Sequence, residues 1–426
     1  MNEALAAKCR TWRDEAHAHL TRELLPFWLT RARDDRHGGL LTHADRHGND
    51  PGTDEKSLIS QTRTIYTMSA AHRAGYGEGR AATLARYGVD FLLAKFWDPD
   101  HGGFYWMADR TGKIGHDAKV LYGHAFAVYG LSEYTLATGD PRGRDFAART
   151  FDLIAARCRE PEFGGYREMF ARDWTPAGPG AAGGDRKTFD VHMHLMEAFA
   201  ALAECTGEAT HRDALHEVIG LLCGKMLHAE LGTGIPQFDF AWHPRPLIRF
   251  DIVWGHDRFS DGGVKPNPDD ITSFGHNVEF AWLLRDGLRK NGMDIGVHRD
   301  VSRRLYEHAL ASGIDWKHGG VYVEGPHSGG VYDTDKEFWQ QAESLVGMLD
   351  AYELFGREDY LDAYEAVHRF VFDHVINHEV GEWRPLLTQE GRALWHHLGD
   401  SWKTNYHTVR SMIEVIRRLN RLLASN

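Results

Sequence analysis

Cysteine is scarce: Cys9, Cys158, Cys205 and Cys223 stand far apart in 426 residues, with no C-x-x-C pair. That spacing excludes a disulfide framework or a zinc ribbon and suits a reduced, cytosolic chain with buried thiols. No stretch approaches about 18 consecutive apolar residues, so no membrane span is expected. The first residues, MNEALAAKCRTWRDEAHAHL, are charged from the third position and lack the apolar core of a secretory leader. Basic residues are outnumbered, 49 Lys and Arg against 61 Asp and Glu, and they form no run. A net charge of −12 argues against nucleic acid as a partner. A phosphate-cradling glycine loop, a G-x-S-x-G elbow and a dinucleotide fingerprint are missing too, which removes the commonest nucleotide and hydrolase signatures.

What is abundant is histidine (27), glycine (45) and aromatic side chains (12%, including 13 Trp). Most of the tryptophans are expected to fill a core, although flat faces with a polar edge also suit sugar rings. The glycines are ordered. Gly38-Gly39-Leu40, Gly102-Gly103-Phe104, Gly164-Gly165-Tyr166 and Gly319-Gly320-Val321 repeat one motif, with weaker copies at Gly232-Thr233-Gly234 and Gly381-Glu382-Trp383. Their starts are 64, 62, 68, 87 and 62 residues apart, giving six units with one enlarged. Helical apolar spacing fills the intervals, at 58–75, 80–96, 119–137, 142–158, 188–206, 210–227, 273–291, 298–312, 336–355, 358–376 and 402–424, with a first helix reaching about residue 33. Asp140 and Ser273 stand at helix starts and Gly356 at an end, as capping requires. Twelve helices in six hairpin pairs predict an all-α (α/α)6 barrel, read as one catalytic domain over 1–426 with short Gly-Gly hairpins at its mouth.

This arrangement gathers the N-termini of the even-numbered helices at one end, where backbone N–H groups and helix dipoles favour electron-rich ligands. The residues at those starts are Arg63, Tyr122 and His124, His192 and His194, His276 and Glu279, Trp339 and Glu343, and Trp402, His407 and Arg410. His192 and His194 are about 200° apart on a helical wheel, so only one faces the lumen easily. His194 shares a face with Glu197, leaving His192 as a packed histidine. Glu279, one turn after His276, is placed to orient its imidazole. Three histidines at equivalent repeat positions point to proton transfer. The His-x-x-Glu pairs at 194/197 and 276/279 invert the Glu-x-x-His order of di-iron bundles, so no metal is expected. A glycosidase would need two lumenal carboxylates, for which Glu279 and Glu343 are the candidates. A carbohydrate-binding barrel without catalysis would keep Trp339 and Trp402 but has no use for the histidines and Arg63.

At these residues the sequence resembles the N-acylglucosamine 2-epimerase family, which includes cellobiose and mannose 2-epimerases and mannose isomerases. The matching segments are SQTRTIY, KVLYGHAFAVYGLSEY, VHMHLMEAF, FGHNVEFAWLL, FWQQAE and WKTNYHTVR, in the family's order from residue 58 to 410. The resemblance implies an (α/α)6 barrel with His276 and His407 as the proton-transfer pair and His194 as a helper in ring opening. It implies that Arg63 holds enediolate oxygens. It also implies that Tyr122, His124, Asp190, Glu279, Trp339, Glu343 and Trp402 surround the substrate. No cofactor is needed, because neither redox nor metal chemistry enters, and the only partner implied is a small sugar. The helix-eight segment is closer to the epimerases, so mannose–glucose 2-epimerisation is the favoured reaction, with mannose-to-fructose isomerisation and disaccharide 2-epimerisation as alternatives.

Two features depart from the family pattern. Asp190 stands where cellobiose-acting relatives carry Asn, adding a negative charge beside the histidines. The enlarged unit, 232–272, carries Pro-, Gly- and aromatic-rich sequence immediately before His276. Long ordered loops at a mouth are usually functional, so this one is expected to fold over the opening and shorten the pocket.

Overall fold

The computed structural model describes residues 2–252 and 269–424. Twelve helices follow one another in pairs. The outer members are α1 (Glu3–His19, continued through a π turn Leu20–Leu24 into Leu25–Arg31), α3 (Arg80–Phe91), α5 (Pro141–Leu153), α7 (Ala209–Lys225), α9 (Arg299–His308) and α11 (Glu358–Phe370). The inner members are α2 (Leu58–Arg73), α4 (Leu121–Thr138), α6 (Phe189–Thr206), α8 (Phe274–Lys290), α10 (Phe338–Phe355) and α12 (Tyr406–Ala424). Each inner helix packs on the next, and α12 packs back on α2 and α1, closing the ring. This is the predicted (α/α)6 barrel. No helix among the described residues is long and apolar enough to cross a membrane.

Local chemistry accounts for the boundaries. Asp140 caps α5 by accepting from Arg142 N–H, Ser273 caps α8 by accepting from His276 N–H, and Gly356 ends α10 at φ +70°. The outer helices α3 and α11 have an apolar stripe facing inward and polar residues outside. The inner helices α4, α6 and α10 are buried almost all round in their first halves. Two-residue antiparallel ladders join the starts of α2, α4, α6, α8 and α10 to the next hairpin, such as Lys119–Val120 with Met169–Phe170 and Lys336–Glu337 with Leu386–Leu387, while a single bridge, Gly399 to Ala44, precedes α12.

The glycine hairpins are fastened by a device that the glycine pattern alone does not reveal. A buried lysine just before the inner helix reaches the acid that opens the hairpin of its own unit: Lys56 to Asp34 at 2.8 Å, Lys119 to Asp98 at 3.0 Å, Lys187 to Glu160 at 3.5 Å and Lys336 to Asp315 at 2.9 Å. In the sixth unit Lys403 pairs with Glu382 at 3.1 Å instead. Carbonyls of Gly38, Gly164 and Gly319 take further ammonium protons, so these buried charges are both paired and hydrogen-bonded. The fourth unit differs. His228 stands in the acid's place and Thr272 in the lysine's, with Thr272 Oγ1 donating to Gly234 O at 2.8 Å.

Candidate active site

The register of the inner helices decides which side chains reach the lumen. Counting from the first helical residue, the fourth residue of α2, α4, α6, α8 and α10 turns to its own glycine hairpin. Gln61 pairs with both backbone groups of Leu40, and Gln341 does the same with Val321. Asn277 accepts from Gly234 N–H. His124 occupies this position in α4: Nε2 accepts from Phe104 N–H at 3.0 Å, and Nδ1 lies 2.8 Å from Val120 O. His192 repeats the arrangement with Tyr166 N–H and Thr188 O. Burial lowers His124 to about 3 and His192 to about 4. His192 is thus the packed histidine expected from the wheel. His124 is not where the family resemblance puts it, because both its ring nitrogens are spent on the wall. The sequence contained the signal, since Gln61, His192, Asn277 and Gln341 hold the same register and all are hydrogen-bonding side chains.

The second and sixth residues, one turn apart on one face, point inward. They include Tyr122 and Phe126, Asp190 and His194, Gly275 and Glu279, and Trp339 and Glu343, with Arg63 as the sixth residue of α2 and His407 the second of α12. His276 is the third residue of α8. The three candidate histidines therefore hold three different registers, not one equivalent position. At Gly275 an added Cβ would stand 2.5 Å from Gln340 Cγ, so glycine there lets α10 approach closely. Trp402 lies before α12, not on it, in the loop preceding Tyr406.

A cavity of about 300 Å³ opens at this end, lined by Tyr122, Asp190, His276, Trp339 and Trp402, with Leu247, Ile248, Arg249 and Phe250 of the enlarged unit. Those four place part of the long segment against the cavity. The stretch 253–268, also expected to cover the opening, lies outside the described residues. The His276 ring packs on Trp339 with centroids 4.6 Å apart, and Trp339 lies 5.8 Å from the His407 ring. Tyr122 stacks on Trp402 at 5.1 Å and meets His194 edge-on at 5.1 Å.

In contact with this aromatic wall lies a buried charged layer. Arg63 donates to Trp402 O at 3.0 Å and to Tyr122 Oη at 2.9 Å, with its guanidinium 4.5 Å from the Phe126 ring and 4.9 Å from the Trp402 ring. Its Nε has no partner. Arg410 is the hub. Its Nη1 donates to Glu197 and to Tyr406 Oη, and its Nη2 donates to Glu279 and Glu343, each at 2.8 Å. Glu197 Oε2 in turn lies 3.2 Å from His194 Nδ1, and Glu343 Oε1 lies 2.6 Å from His407 Nδ1. An Nδ1–H donated to the carboxylate leaves the lone pair on Nε2, the tautomer a base needs.

Glu279 faces Arg410, so the expected orienting contact with His276 is replaced by an ion pair. The reason is electrostatic: three carboxylates converge, and one guanidinium is their shared counter-charge. Burial and the neighbouring Glu343 push Glu279 well above the usual carboxylate range. Glu197 is held at about 2 against its own burial by Arg410 and His194. Burial lowers His194 and His276, and it lowers His407 strongly with help from Arg63 and Arg410. All three imidazoles are therefore neutral bases at neutral pH.

Ligand atoms of Glu279, Glu343 and His407 lie close enough together to hold a metal, but Arg410 already bridges both carboxylates. The same bridge occupies the two acids that a glycosidase reading would use. His19, Glu23 and His378 form a second cluster of that kind. There Trp383 donates to His19 Nε2, which leaves Nδ1 as the protonated nitrogen facing Glu23 rather than a free ligand. Sequence reasoning noted Arg410 only as a first-turn residue and did not single out Tyr406; the tie between them needs the closed ring.

The N-acylglucosamine 2-epimerase (GlcNAc 2-epimerase) model matches residues 10–411. A cellobiose 2-epimerase of Bacteroides fragilis is 27% identical over 95% of this chain and 98% of its own. A D-mannose isomerase of Marinomonas mediterranea is 24% identical over 90% of this chain and 92% of its own. The solved cellobiose 2-epimerase of Spirochaeta thermophila superposes with a TM-score of 0.86 at 30% identity, covering 99% of this chain and 100% of that one. With its barrel, its lumenal histidines and this match over nearly its whole length, the chain belongs to the N-acylglucosamine 2-epimerase family of enzymes that act on carbohydrates.

Proposed function

We propose that this enzyme inverts C2 of an aldose, interconverting D-mannose and D-glucose. The observation that carries the reading is the pair of imidazoles, His276 at the cavity wall and His407 on Glu343, with Trp339 in ring contact with both. Opening of the sugar ring, assisted by His194, exposes a carbonyl that acidifies the C2–H. One imidazole removes that proton, and charge develops on the enediolate oxygens. Arg63 is the cation for that charge, held ready by Tyr122 and Trp402 so that no reorganisation is needed as it forms. The second imidazole, which has taken a proton from solvent and enters this step as the imidazolium, delivers that proton to C2 from the other face; the first returns the abstracted proton to solvent, and the ring closes on the inverted centre. Asp190, Trp339 and Trp402 line the cavity, which sets an acceptor for sugar hydroxyls beside flat faces for the ring.

A second reading, 2-epimerisation at the reducing end of a disaccharide, is favoured by the likeness to the cellobiose 2-epimerases of Bacteroides fragilis and Spirochaeta thermophila. Mannose isomerisation to fructose needs only one of the two bases. Incubation of mannose, and separately of cellobiose, in heavy water with NMR detection tests these. Glucose labelled at C2 supports the proposal. Label at C2 of a disaccharide product with no reaction of mannose moves it to the second reading. Fructose as the main product refutes inversion.

A further inference from the structure

The cavity wall built from the described part of the enlarged unit is held by a clasp. Gln237 on the short ladder Gln237–Phe238 is buried, and its side-chain amide pairs with both backbone groups of Ile248. Oε1 accepts from Ile248 N–H at 3.2 Å, and Nε2 donates to Ile248 O at 2.9 Å, as a neighbouring strand would. Arg186, also buried, donates from one nitrogen to Gln237 Oε1 at 3.0 Å and to Pro246 O at 2.9 Å. Further along, Asp251 N–H donates to Ala181 O at 2.7 Å, and Phe250 packs against Gly183, where an added Cβ would stand 3.2 Å from its ring. Residues 246–251 are thus tied down at several points, and their inner face, Leu247 to Phe250, meets the cavity.

We propose that Arg186 and Gln237 are the specificity-setting positioning residues of this site: by clasping Pro246 and Ile248 they keep Leu247–Phe250 as a fixed wall, which restricts productive binding to a sugar that ends at that wall. The proposal rests on the 2-epimerase reading. Gln237 also lines the cavity and Arg186 does not, and neither is one of the groups assigned to the proton transfers, so the clasp acts on which sugar is seated. Loss of the two Gln237–Ile248 hydrogen bonds corresponds to about a tenfold release of the wall.

The test compares wild type, Q237L and R186M, with R186K as a milder lesion should the others fail to fold. Two quantities are read: hydrogen exchange at the Ile248 amide, and the ratio of kcat/KM for cellobiose to that for mannose. The expected result is faster Ile248 exchange with a ratio raised about tenfold, mostly through KM. An unchanged Ile248 exchange rate overturns the clasp. Faster exchange with an unchanged ratio overturns the role in specificity. Failure of the wild type to act on either sugar falls on the 2-epimerase reading instead, which separates the two.

Discussion

Replacing Arg410 by methionine removes the counter-charge that three buried carboxylates share while keeping most of the side chain's volume. Arg410, Glu197, Glu279 and Glu343 are all nearly inaccessible, with side chains at most 4% exposed, so solvent cannot replace the guanidinium. Breaking a buried pair from one side costs about 3–5 kcal/mol, because the remaining charge is left uncompensated. Unfolding entropy of about 2.1 cal/mol/K per residue over 426 residues converts that to a fall in Tm of about 4 °C. The pH dependence is more diagnostic than the size. In the wild type Glu197 is held at about 2, below its ordinary 4.5, so its contribution is present above that ordinary value and fades as pH falls toward 2. Burial already raises Glu279 and Glu343 in the wild type; without Arg410, Glu197 loses the charge that holds it down as well, and protonating the acids relieves the repulsion. The deficit of R410M relative to wild type should therefore shrink as pH falls from neutral toward the ordinary carboxylate value of 4.5. Thermal unfolding of both proteins at matched pH measures it. A deficit that stays constant or grows on acidification would refute the view that Arg410 acts as counter-charge to the cluster.

Three other outcomes are expected. H407Q and H276Q should each lower kcat by about 10²–10⁴, and the rate of C2 deuterium incorporation in heavy water shows whether they do. H124Q should keep near-normal kcat/KM and Tm, because Gln61 and Gln341 do the same work in sister units; a large loss of activity would put His124 back at the substrate. Because burial lowers His194, His276 and His407 in the fold, the acid limb of the kcat/KM profile should lie below the ordinary imidazole value of 6.5. Each shift also makes the fold less stable as pH drops through that value, since the unfolded chain binds the proton more readily. An acid limb above about 7 would contradict neutral buried bases.

Much of the fold was readable because glycine pairs mark where a chain must turn, and helical spacing fills what lies between. The boundaries fell within a few residues of those predicted, except at α12, where Trp402 reads as a helix start but Asp400 instead accepts from Trp402 N–H and Lys403 N–H in a turn. The candidate site was legible where position along the helix suffices, as for Tyr122, Asp190 and Trp339. It was not legible where partners come from distant elements. Glu279 is one turn from His276 in sequence, but the ring closure brings Arg410 to it from residue 410, and the stronger partner wins. His124 misled because a histidine in a mouth segment looks the same whether it faces lumen or hairpin; only the register separates the two. The clasp of Arg186 and Gln237 joins segments whose sequences carry no chemical motif.

The replacement of the lysine–acid pair by His228 and Thr272 in the fourth unit has a consequence for how this barrel tolerates change in length. In four units the hairpin and the following helix are locked by a buried ion pair within the unit, and the sixth has its own equivalent. An insertion between those two anchors must keep both ends in register or strand a charge in the core. The fourth unit, held by neutral hydrogen bonds, carries no such constraint, and it is the one that is enlarged. Engineered lengthening or grafting at the mouth should therefore succeed first between residues 235 and 271, and the same graft in another unit should cost folding before it alters recognition.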